Sequence, residues 1–80
     1  MRVVSIMDMY EARKALEATG LPVYLHLHDT CGAQTMELEP LDGCDGEALA
    51  QARAVVRDKV EALGYAFEVL DEAGLVLRAS

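Results

Sequence analysis

The two halves of this 80-residue chain show the same order of local signals, and this repetition is the feature that most constrains the fold. Each half has a helical segment closed by Glu-Ala-x-Gly, followed by two strand-like segments around a turn rich in Asp and Gly. A helix-strand-strand unit used twice favours a four-stranded, mainly antiparallel sheet with two helices on one face. We therefore predict one α+β domain, residues 1–80, a two-layer sandwich with repeat units 5–40 and 45–80. A ferredoxin-like arrangement is the alternative if residues 3–4 add an edge strand.

Helix boundaries are indicated by capping residues. Ser5 and Asp8 form a capping-box pattern, which predicts that the first helix begins near Ile6. Asp45 is predicted to cap the second helix, because an amphipathic run of apolar residues follows it. In the second half, segments 65–70 and 74–79 predict another hairpin, with core candidates Tyr65, Phe67, Val69, Leu75 and Leu77.

Apolar and polar residues alternate along the first hairpin, so it predicts strands with one buried side. One side of the first strand carries Val23, Leu25 and Leu27, and the other carries Tyr24, His26 and His28. The returning strand places Met36 and Leu38 toward the core, with Thr35 and Glu37 on the side of the histidines. With helices covering the apolar side, the histidine side is expected to face water, a ligand or a partner subunit.

Composition limits the kinds of partner. A formal net charge of −7 disfavours binding to nucleic acid and to anionic lipid. No apolar run approaches the roughly 20 residues that span a bilayer, and the first residues lack a signal-peptide pattern, so we expect a cytoplasmic protein without membrane association. A domain of this length buries a thin core, which favours a homodimer. Two cysteines without Cys-x-x-Cys spacing are expected to be free thiols or ligands.

The histidine-rich segment suggests a metal site. His26 and His28 are two apart on one strand, so both imidazoles project from the same face at about 6 to 7 Å. Glu37 on the paired strand offers an oxygen ligand, and Cys31 at the turn offers a thiolate. These four residues are our candidate metal ligands, for zinc or another transition metal. The alternative is that the histidines are ordinary solvated or hydrogen-bonded residues.

Cys31 is also a candidate catalytic thiol. It lies at a hairpin turn close to His28 and Asp29, where an imidazole can lower the pKa of a thiol and expose a thiolate nucleophile. No oxyanion-stabilising motif accompanies it in the sequence. The alternative is a small residue that fills the turn. Whether the protein is an enzyme stays open at this point.

The segment from His26 to Thr35 resembles the signature of a small, functionally uncharacterised bacterial family called RDAC, after its Arg-Asp-Ala-Cys run. The sequence departs from that run at His28 and Thr30, where the family has Arg and Ala. The resemblance implies that a shared ligand-binding site would use Asp29, Cys31 and Gln34, and it implies no activity. The positions that match the family are Asp29, Cys31, Gly32 and Gln34.

Three functions are compatible with these patterns. The first is a small binding module that holds a metal ion or small ligand at the first hairpin. The second is a thiol-dependent enzyme or redox protein that uses Cys31. The third is a structural homodimer or adaptor that docks through the open face of its sheet.

Overall fold

The structure of the chain, a computed structural model, describes residues 4–30 and 33–80, with the side chains of residues 29, 30 and 33 excepted. The first helix begins where the capping pattern predicts, and both hairpins form. In chain order the elements are α1 (Ile6–Glu17), β1 (Val23–Thr30), β2 (Ala33–Pro40), α2 (Gly46–Ala62), β3 (Phe67–Val69) and β4 (Val76–Ala79).

The four strands form one antiparallel sheet in the order β1-β2-β4-β3. Each repeat unit contributes one hairpin, and the return strands β2 and β4 join the hairpins at the centre. The predicted α+β fold is confirmed. The ferredoxin-like alternative depends on a strand at residues 3–4: Val4 is buried just before α1 and is not in a strand, and residue 3 lies outside the described part.

The core lies between the sheet and the helix layer. Met36 and Leu77 face each other across β2 and β4, and both are fully buried. Full burial of such a side chain stabilises a protein by about 1.5–3 kcal/mol. The prediction that Val69 belongs to this core is wrong: it is 42% exposed because it ends a three-residue strand at the sheet edge. Buried residues from the helices are Met9, Ala12, Leu16, Ala52, Val56 and Val60.

The capping pattern at the start of α1 is completed by a residue from the other repeat. Ser5 Oγ accepts a hydrogen bond from the backbone N–H of Met7 at 3.2 Å. Asp8, predicted to bond back to Ser5, instead accepts from the hydroxyl of Tyr65, and that hydroxyl accepts from the Ser5 N–H at 3.4 Å. A buried tyrosine hydroxyl requires partners. Tyr65 therefore bridges the two capping residues and links α1 to the segment after α2.

The turn of the second hairpin is held by side chains. Asp71 Oδ1 accepts hydrogen bonds from the backbone N–H groups of Leu75 and Val76, at 2.9 and 2.8 Å. Arg53 on α2 donates from Nε to the carbonyl oxygen of Gly74 at 2.9 Å. Gly74 has a φ of 75°, a left-handed conformation that glycine adopts without steric cost. The turn is therefore fixed both to itself and to α2.

Candidate functional site

The side of the sheet turned away from the helices, here called the open face, carries the histidines. Side chains alternate along each strand, so the register of β1, β2, β3 and β4 determines which residues share this face. His26 lies opposite Glu37, and His28 lies opposite Thr35. Both histidines and Glu37 therefore share one face, as the sequence predicts. The open face consists of Tyr24, His26, His28, Thr35, Glu37, Glu39, Glu68, Val76 and Arg78.

Each histidine on the open face contacts a glutamate diagonally across β1 and β2. His26 Nε2 lies 2.5 Å from Glu39 Oε1, and His28 Nε2 lies 3.6 Å from Glu37 Oε1. All four side chains are about half exposed. The ring of Tyr24 meets the His26 imidazole edge to face, with centroids 4.8 Å apart. The result is two neighbouring imidazole-carboxylate pairs in contact with solvent, the first of them also packed against a tyrosine.

Glu39 is a residue of the site that the sequence analysis missed. The sequence pattern assigns Glu37 alone to the histidines, as an acidic residue of the paired strand, and in the structure Glu37 lies directly opposite His26. Long side chains also reach diagonal neighbours two residues along the partner strand. The signal was present, since Glu39 continues the alternation of Thr35 and Glu37 toward the end of β2. Pairing Glu39 with His26 requires knowledge of the side-chain rotamers, which the sequence does not give.

Arg13 on α1 reaches around the outer edge of β1. Its Nε donates a hydrogen bond to the carbonyl oxygen of Leu25 at 3.0 Å. Its guanidinium carbon lies 5.4 Å from the ring centre of Tyr10 and 5.2 Å from that of Tyr24, both within cation-π distance. One arginine thus covers part of the edge strand beside the two His–Glu pairs.

Two positions of the ligand-binding set implied by the RDAC resemblance, Asp29 and Gln34, lie directly opposite each other on β1 and β2. Gln34 is 3% exposed and shares the helix side of β2 with Met36, so it does not reach the open face. Cys31 lies outside the described residues, as does the side chain of Asp29. Gln34 and the histidines are therefore on opposite sides of the sheet, and the roles of Asp29 and Cys31 stay predictions.

Within residues 4–30 and 33–80, no group of three or more His, Cys, Asp or Glu side chains is arranged to hold a metal ion. Of the predicted ligands His26, His28, Glu37 and Cys31, the first three share the open face and Cys31 lies outside the described residues. Each imidazole contacts its own carboxylate, His26 that of Glu39 and His28 that of Glu37. Cys44, the cysteine that the structure describes, is half-buried against the core, and its thiol donates to the carbonyl oxygen of Asp45 at 3.4 Å. A metal site here depends on the histidines and on further ligands, and the role of Cys31 as one of them stays a prediction.

Comparison with known proteins adds no family. No protein-family model, no curated protein and no solved structure matches this chain. The resemblance to the RDAC family stays a prediction. None of the helices in the described part of the chain is long and apolar enough to cross a membrane.

Proposed function

We propose that this protein is a small binding module that holds a divalent transition-metal ion at His26 and His28 on the open face. The observation that supports this is the pairing of both exposed imidazoles with carboxylates of β2, at 2.5 and 3.6 Å. Each strand contributes one kind of group: β1 the imidazoles, β2 the acidic partners.

The chemistry of the pairs suits a metal ligand. A neutral imidazole whose Nε2–H donates to a carboxylate has its lone pair on Nδ1, where an ion can bind. Metal-binding histidines commonly donate their second nitrogen to a carboxylate, which fixes the ring and makes it a stronger ligand. Glu39 and Glu37 would act in this way for His26 and His28. Imidazole ligands suit zinc, copper and nickel.

Calorimetric titration of the purified chain with zinc and with copper tests the proposal. The wild-type chain is expected to bind zinc, and zinc at about 1,000 times its dissociation constant would stabilise the fold by roughly 4 kcal/mol. His26→Ala and His28→Ala should each weaken binding by at least about tenfold, which corresponds to 1.4 kcal/mol. Glu72→Ala, which removes an exposed carboxylate from the distant turn, is the matched control and should bind like wild type.

A wild-type chain that binds neither zinc nor copper, and whose melting temperature is unchanged by both, would exclude the proposal. Equal loss of binding in Glu72→Ala and in the histidine variants would also contradict it, because the ion would then respond to overall charge. Circular dichroism checks that each variant is folded. Both histidines are about half exposed, so their replacement should change stability little.

A further inference from the structure

The outer edge of β1 is long and faces away from the rest of the sheet. In the described part of the chain β1 pairs with β2 alone, along all eight of its residues. The carbonyl oxygen of Leu25 accepts from Arg13, so the backbone groups of Leu25, and of alternate residues such as Leu27, point outward from β2. Such an edge is a template for pairing with another strand.

We propose that two copies of this chain pair through β1, antiparallel about a two-fold axis at Leu27, and that the metal ion is held jointly by histidines of both copies. The inference rests on the proposed function and names its partner as a second copy. In this register Leu27 lies opposite the partner's Leu27, and His26 lies opposite the partner's His28. The contact is isologous, so the same pairing occurs twice.

The register completes a ligand set that the described residues of a single chain lack. Residues directly opposite in an antiparallel pair have Cβ atoms about 4.5–5.5 Å apart on the same face. Two histidines per chain bring four imidazoles together, whereas the described residues of one chain hold no group of three ligands. Among registers within β1, pairing about Leu27 is the one that sets every imidazole opposite another. The glutamates stay behind the imidazoles on β2, Glu39 as the hydrogen-bond partner of His26 and Glu37 at 3.6 Å from His28.

Contacts already present on the β1 edge favour the same region. The N–H of Val23 donates to the carbonyl oxygen of Leu21 at 2.8 Å, and the carbonyl oxygen of Leu25 accepts from Arg13 at 3.0 Å. Among the residues that the structure describes, these bonds engage the first half of the strand and leave the stretch around Leu27 for a partner strand. A carbonyl oxygen accepts two hydrogen bonds, so Arg13 need not leave Leu25 when a second strand arrives.

Net charge makes the pairing depend on the ion. Each copy carries a formal charge of −7, so two copies repel one another in the absence of metal. A divalent cation between the strands reduces this repulsion and joins the imidazoles. The expected behaviour is a monomer in chelator and a dimer in zinc.

Sedimentation velocity on the full chain, with EDTA or with zinc chloride, tests the pairing, and mixed variants test the register. Each of His26→Ala and His28→Ala alone retains no position where two imidazoles face each other, so each should lose the zinc-dependent dimer. An equimolar mixture restores one facing pair, between His28 of the first variant and the partner's His26. The mixture should therefore associate in zinc at least tenfold more strongly than either variant alone. The double variant is the control for non-specific association.

Each of the other possible outcomes contradicts a specific part of the proposal. Zinc that binds to monomers with no association, or a mixture no better than its components, would exclude the shared site and leave the proposed function standing. A wild-type chain that binds no zinc would remove both. A zinc-dependent dimer of His26→Ala alone would overturn the register about Leu27, because pairing of His28 with the partner's His28 would then suffice.

Discussion

The two hairpins come from equivalent repeat units, yet they differ in length and in how they are held. β1 and β2 pair over eight residues each, whereas β3 pairs with β4 over three. The longer ladder presents two His–Glu pairs on the open face, and the shorter one contributes the ion pair of Arg78 with Glu68. Strand length therefore decides how many side chains a repeat can offer for binding.

The second hairpin has a shorter ladder but is also held by side-chain hydrogen bonds to its backbone. Asp71 holds two backbone N–H groups of its own hairpin, and Arg53 connects Gly74 to α2. The described residues of the first hairpin are held by the eight-residue backbone ladder, by the apolar residues beneath it and by the hydrogen bond from Arg13 to Leu25. Replacement of a polar residue by alanine should therefore destabilise the second hairpin more than the first.

The largest effect is expected where the two hairpins join. Leu77→Ala empties a fully buried position opposite Met36 and should lower the free energy of unfolding by about 2–5 kcal/mol. Leu70→Ala, at a residue that is 42% exposed, is the matched control and should cost less than about 1 kcal/mol. Urea denaturation measures both. Equal losses would mean that the centre of the sheet is not the core of the fold.

Removal of the turn carboxylate should have the next largest effect. Asp71→Ala leaves the N–H groups of Leu75 and Val76 without their acceptor, at a cost of about 1–3 kcal/mol. Asp42→Ala, in the exposed linker before α2, is the control and should be within about 0.5 kcal/mol of wild type. Amide hydrogen exchange should accelerate at residues 75 and 76 while β1 stays protected. Faster exchange throughout β1 would contradict the separate tethering of the second hairpin.

A pair of glycine substitutions separates backbone strain from the Arg53 contact. Gly20 and Gly74 have φ values of 73° and 75°, so alanine should cost about 1–2 kcal/mol at either position. At Gly74 the added Cβ would also lie 2.4 Å from the Arg53 guanidinium, whereas nothing lies within 4 Å at Gly20. Gly74→Ala should therefore be more destabilising by about 1 kcal/mol, the value of one hydrogen bond. Thermal unfolding of both variants gives the difference, and no difference would mean that Arg53 moves aside freely.

The smallest effect on stability is expected in the first hairpin. Glu39→Gln removes the charge that faces His26, and because both groups are exposed the free energy of unfolding should change by less than about 0.5 kcal/mol. Zinc affinity should nevertheless fall about tenfold, as for loss of a carboxylate behind a metal-binding histidine. Glu68→Gln, which alters the ion pair of the second hairpin, should leave zinc affinity unchanged. The opposite ranking of the two variants would move the site away from the histidines.

Elements governed by local pattern could be predicted from the sequence. The start of α1 follows from the cap at Ser5, and the alternation in the first hairpin correctly sorts Met36 and Leu38 from Glu37. The RDAC resemblance groups Gln34 with Asp29 and Cys31, and the register places Gln34 directly opposite Asp29. Gln34 lies on the helix side of the sheet because it alternates in step with Met36 along β2.

Contacts between distant residues could not be predicted. Tyr65 reaches Asp8 across 57 positions, and no local pattern encodes that bond. The diagonal contact of Glu39 with His26 depends on the side-chain rotamers, which the strand register alone does not specify. In both cases several partners are within reach, and the packing of the folded chain determines which one forms the contact.

The unequal edges of the sheet limit how far self-association can proceed. Once two β1 strands are joined, the strands at the outer margins of the combined sheet are the two copies of β3, three residues each. Such short edges offer few backbone groups to an incoming strand. In the proposed dimer, growth would therefore end at the pair, because the described part of the chain offers one long edge for pairing and one short one.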